Sequence, residues 1–178
     1  MRLPLTLWSM AAVSLSLLGC GSSSTPPAQI CMDLEAYSPT TVTPYSFATD
    51  IYPIMSDSVS SYGCSMTLIC HGTPPQKIDP QMTKTLSFVD PAATVKAALL
   101  MNAVHAPNMK RVAPGSVKDS FMAYKLSGKT ALSCVNSMCS ASAGIGTAPC
   151  GDAMPSLGVL PDADRTKILD WIAQGAAD

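Results

Sequence analysis

Between Cys64 and Gly72 the chain reads Cys-Ser-Met-Thr-Leu-Ile-Cys-His-Gly. No other stretch constrains the fold as much, because three side chains with covalent or ligand chemistry must share one short loop. Two thiols ahead of a histidine is the order that staples a haem to a polypeptide. The cysteines take up the vinyl groups as thioethers, and the next histidine binds the iron. The usual spacing is C-x-x-C-H, whereas five residues separate Cys64 from Cys70 here. Three chemistries are therefore open. Cys64, Cys70 and His71 attach a c-type haem; or Cys64 and Cys70 close a small disulfide loop beside an incidental His71; or the three bind a metal such as zinc or copper with help from His105 or methionines.

The first residues give an address. Residues 1–19 read as a signal peptide, with Arg2 as the positive start and an apolar run from Leu3 to Leu18. That run is too short, and its downstream flank too polar, for a membrane-spanning helix. Leu17-Leu18-Gly19-Cys20 resembles a bacterial lipobox, which implies lipidation of Cys20 and a lipid anchor on a membrane. The plainer alternative is a secretory signal that leaves Cys20 for a disulfide. Gly21-Ser22-Ser23-Ser24-Thr25-Pro26-Pro27 then has no core-forming residue and suits a flexible tether. The expected layout is a signal peptide at 1–19, a lipidated N-terminus and tether at 20–45, and one domain at 46–178. The chain is thus expected to be exported, as a periplasmic or outer-membrane-anchored lipoprotein.

Seven cysteines in 178 residues suit an oxidising compartment or a cofactor. With Cys20 lipidated, six remain. A haem takes two and leaves four for two disulfides; without haem, three disulfides are possible. Cys134, Cys139 and Cys150 lie among Ser, Ala and Gly, and disulfides within that loop, one of them reaching Cys31, are the simplest expectation. A net charge of -1 gives no basic surface for nucleic acid. No G-x-S-x-G, H-E-x-x-H or phosphate loop points to a hydrolase.

Fifteen prolines and 11 glycines predict an all-α, loop-rich domain with short helices. A first helix is predicted over Ser46–Ser61, where Phe47, Ile51, Ile54, Met55 and Val59 form a stripe and Pro53 kinks the helix or lies in its first turn. A second runs from Pro91 to Val104 and ends at His105. A third runs from Ser116 to Leu126, with Ser116 and Asp119 as a capping box. A last helix covers Asp162–Gly175, with Ile168, Trp171 and Ile172 on one face.

Three blocks together have a familiar order. Phe47-Ala48-Thr49-Asp50-Ile51-Tyr52-Pro53-Ile54-Met55 followed by Cys64 and Cys70-His71-Gly72 resembles the opening of planctomycete-type cytochrome c domains. Arg111 to Leu126, with Ala113-Pro114-Gly115, is similar to their segment of valine-proline-glycine before a short helix. Met154-Pro155, the Leu160-Pro161 entry and Ile168 to Ala176 are similar to their end. The blocks span about residues 46–177. The resemblance implies a small cytochrome c-like helical domain with long loops, stapled by disulfides. It implies one covalent haem c with its iron, Cys64 and Cys70 as thioether anchors, His71 as proximal ligand and Met154 as distal ligand. It further implies single-electron transfer with redox partner proteins, and a last helix packed across the helix that leads to Cys64. The alternative is the same fold without haem, acting as a surface binding or assembly module.

Overall fold

The computed structural model describes residues 27–57, 64–65, 86–140, 149–155 and 158–178. Cys20, Cys70 and His71, together with the expected signal peptide at 1–19 and residues 66–85, lie outside the described residues. Among the described residues the fold is helical, without strands; pairing is limited to isolated bridges such as Asn102 with Lys110.

The helices in chain order are α1 (Pro27–Glu35), a π-helical turn (Phe47–Ile51) running into α2 (Tyr52–Ser56), α3 (Ala92–Leu99), α4 (Phe121–Leu126), α5 (Lys129–Cys134) and α6 (Asp162–Ala173). The wide turn before α2 has a local cause. Pro53 has no N–H and its ring crowds the carbonyl one turn back, so the helix opens there: the Tyr52 amide reaches Phe47, five residues behind. Ser46 and Asp50 fix its start, Ser46 Oγ accepting from the Thr49 amide and Asp50 accepting from the Ser46 amide at 2.8 Å. Pro53 thus sits in the first turn of α2, one of the two positions foreseen for it.

One core joins these short elements. Phe47, Ile51, Met55, Val95, Leu99, Val112, Ile168, Trp171 and Ile172 are all fully buried. Each such side chain contributes roughly 1.5–3 kcal/mol of transfer free energy. Phe47 meets Trp171 with ring centroids 5.2 Å apart, so α6 packs on the helical turn that leads towards Cys64. Two bonds of a Schellman motif close α6, from Gly175 to Ile172 and from Ala176 to Trp171; Gly175 has φ +102°, a conformation that favours glycine.

Four boundaries differ from expectation. The first helix, expected to reach Ser61, closes at Ser56, where Asp57 is extended as its C-cap. The second helix stops at Leu99 rather than Val104, because the backbone beyond it bonds to a returning strand-like segment: the Arg111 and Val112 amides donate to Met101 and Leu99, and Arg111 Nη1 donates to the Ala98 carbonyl at 2.6 Å. The third starts at Phe121 rather than Ser116. Ser116 and Asp119 do pair, 2.5 Å apart, but within a turn whose interior is taken up by Ser120 Oγ, which accepts from the Ala113 amide and donates to the Ser116 carbonyl. The last helix begins at Asp162 as predicted and ends two residues early, at Ala173.

The largest difference concerns the tether. Residues 27–45, assigned above to a flexible N-terminus, belong to the packed structure. α1 buries Leu34 and packs on α5, where Cys31 is disulfide-bonded to Cys134. The segment behind it lies on α6. Asp170 accepts from Tyr37 Oη (2.7 Å), the Thr40 amide (2.9 Å) and Thr40 Oγ1 (2.5 Å). Gln174 accepts from the Tyr45 amide and donates to the carbonyls of Thr41 and Thr43. Prolines at 39 and 44 exclude a helix here, and side chains of α6 satisfy the backbone in place of neighbouring turns.

Candidate functional site

Of the four residues expected at a haem, two are described. Cys64 follows α2 and is half-buried against the core. Its neighbour Ser65 is fully buried, and Ser65 Oγ donates to the Ser56 carbonyl at 2.6 Å. That bond caps the last turn of α2 and holds the Cys64–Ser65 turn on the helix end. Met154 lies ahead of α6, also half-buried against the same core, with a cis bond to Pro155.

Met154 is embedded in a cluster that sequence periodicity did not bring together. The Met154 amide donates to the Lys125 carbonyl at 2.9 Å, and Lys125 Nζ donates to the Asp152 carbonyl at 2.6 Å. Lys125 is only 8% exposed, and its ammonium lies 5.4 Å from the centroid of Phe121. Between these contacts sits Gly151, with φ +67°. A Cβ there would meet Lys125 Nζ at 3.1 Å and the His105 ring at 3.3 Å, so glycine is what lets the loop approach both side chains. His105 does not end a helix. It lies six residues beyond α3, half-buried, and its carbonyl accepts from the Ser140 amide at 2.8 Å. A disulfide joins Cys139 to Cys150, immediately before Gly151.

The pairings Cys31–Cys134 and Cys139–Cys150 realise both parts of the expectation, one bond within the cysteine-rich loop and one to Cys31. They take four of the seven cysteines; Cys20, Cys64 and Cys70 are the others. Among the described residues no three His, Cys, Asp or Glu side chains come together as a metal-binding group. Met154 and Cys64 both pack, half-buried, against one apolar core.

Burial shifts one lysine and two tyrosines, in opposite directions. Burial pushes the Lys125 ammonium down to about 8, with the Asp152 charge opposing part of that shift. Burial raises the Tyr37 phenol, helped by its hydrogen bond to Asp170 and by the Asp170 charge; burial, Glu35 and Asp119 raise Tyr124. The signs are opposite. A lysine lowered in the fold binds fewer protons than in the unfolded chain, so its contribution to stability rises as pH goes from about 8 towards the unfolded lysine value of about 10.4. The tyrosines contribute fully below their unfolded value of about 10, and that contribution is lost as pH rises above it. Denaturant midpoints across pH 7–12 should therefore climb past pH 8 and fall beyond pH 10. A Lys125→Met chain should lose the climb and keep the fall; a climb that persists would remove Lys125 as its source.

Sequence reasoning singled out Met154 and missed Lys125, Gly151 and Ser65. For Lys125 a signal existed: it stands four residues after Phe121, on the buried stripe of α4. No family model matches the chain, and no curated protein or solved structure matches it.

Proposed function

We propose that this chain is an exported lipoprotein whose domain is a cytochrome c-like helical fold that holds one c-type haem and carries single electrons between redox partner proteins. One observation carries the reading. α6 lies on the helical turn leading to Cys64, with Phe47 against Trp171, while Met154 stands before α6 against the same core. That arrangement puts the first candidate anchor and the candidate distal ligand on one apolar body, in the chain order that the resemblance implies. Cys64 and Cys70 would form the thioethers, His71 would be the proximal ligand and Met154 the distal one. When bound, the haem supplies a one-electron iron couple. The protein excludes water through its core and offers a soft thioether, which favours ferrous iron and raises the potential. Cys20 would carry the lipid, leaving the domain on the periplasmic or outer-membrane surface it is tethered to.

A second reading rests on the two disulfides. A domain this small and loop-rich gains much of its stability from covalent staples, and a Cys64–Cys70 bond would add a third without any haem. The domain would then serve as a binding or assembly module.

The visible spectrum of the protein, made in cells with the cytochrome c maturation system, separates the two. The expected result is a Soret band that survives acid–organic extraction, with a haem-sized increment in intact mass. Cys64→Ala with Cys70→Ala should abolish both. A colourless wild-type protein whose mass shows three disulfides would reject the haem reading in favour of the second.

A further inference from the structure

We infer that Lys125 is the positioning residue for Met154, holding the segment 150–154 through its main chain and its side chain together. The inference rests on the proposed role of Met154 at the iron. Alternate residues of the segment are tied down: Cys150 by the disulfide to Cys139, Asp152 by Lys125 Nζ at 2.6 Å, and Met154 by the Lys125 carbonyl at 2.9 Å. Gly151, between the first two ties, lets the amine and the His105 ring close on the backbone.

Packing alone does not call for this amine. Lys125 lies in the buried stripe of α4 with its ammonium 5.4 Å from the centroid of the Phe121 ring, and a methionine of similar length would fill the space without desolvating a charge. Among the described residues no carboxylate forms an ion pair with it. What the amine adds is a directed, charge-assisted bond to one carbonyl, two residues from Met154. The disulfide alone fixes only the start of the segment, whereas Lys125 sets where its far end lies relative to α4.

The test uses the full chain carrying Lys125→Met, a second chain carrying Gly151→Ala, and Lys96→Met as a control that breaks only the exposed pair with Asp178. In haem-free protein, amide exchange at Met154 should be about tenfold faster in the first two chains, matching the loss of one charge-assisted bond, with α6 unchanged. In protein matured with haem, imidazole should bind the ferric iron about tenfold more tightly in both, because a loosened thioether competes less well. The control should match wild type in each measurement. Unchanged Met154 exchange and unchanged imidazole affinity in both variants would overturn the inference. If wild type takes up no haem, the haem reading fails on its own, and exchange at Met154 still decides whether Lys125 holds the segment.

Discussion

Replacing Cys31 and Cys134 together by serine should lower the unfolding free energy by about 5 kcal/mol. The bond spans 103 residues, and in the chain-entropy account the restriction it places on the unfolded chain grows with the logarithm of that span. The Cys139–Cys150 bond spans only 11 residues and should contribute less, about 3 kcal/mol on the same account. The native consequences differ as well. Without its disulfide, α1 is left with Leu34 and its packing on α5, and should fray first. Without the second disulfide, the loop bearing Met154 should loosen while α1 stays docked. Urea unfolding of the two double variants, with limited proteolysis to locate the first cut, checks both statements. A loss below 1 kcal/mol for the Cys31–Cys134 pair would mean that the unfolded chain is already restricted by other means.

Asp170→Ala should cost about 3 kcal/mol, a large effect for a polar side chain. The carboxylate is fully buried on α6 and accepts three bonds from residues 37–40. Charge-assisted bonds contribute roughly 1.5–3 kcal/mol each, but Tyr37 and Thr40 regain water when the carboxylate goes, which holds the total well below the sum. Tyr37→Phe removes one of the three donors and should cost about 1 kcal/mol alone and much less on top of Asp170→Ala. Chemical denaturation of the two single variants and the double variant measures that coupling. Strictly additive losses would show that Tyr37 does not act through Asp170. The loss should be local too, exposing residues 37–45 to protease before the helical core, because the side-chain links then left to that segment are Gln174 and the Lys167 ammonium over the Tyr45 ring, both near its far end.

In the first and last helices the structure follows the periodic signal, whereas the second helix leaves its stripe after Leu99. The stripe of Ile168, Trp171 and Ile172 is the buried face of α6, and Phe47, Ile51 and Met55 form the facing surface. Both stripes have the spacing of a helix face, which a chain displays whatever it packs against. Where local chemistry offered two outcomes, the wrong one was read. Ser116 and Asp119 form their pair in a turn rather than at a helix start, because Ser120 draws the intervening backbone onto its own hydroxyl. Residues 28–45, with two prolines and no clear period, looked like linker. They are ordered by a disulfide and by Asp170, partners more than 100 residues away in the chain.

The sequence by itself determined the helical class, the last helix and its buried face, and the interruption that Pro53 imposes on the first helix, and it offered the candidates Cys64, Cys70, His71 and Met154. Each of these is local: a period, a missing N–H, or a spacing of reactive side chains. Only the tertiary structure decided which cysteines pair, that the expected tether from residue 27 is part of the domain, and that Lys125, His105 and Gly151 meet beside Met154. Those outcomes depend on which distant segments share a surface. Cysteine parity allows several pairings, and the stripe that buries Phe121 says nothing about which loop will approach the lysine one turn further on.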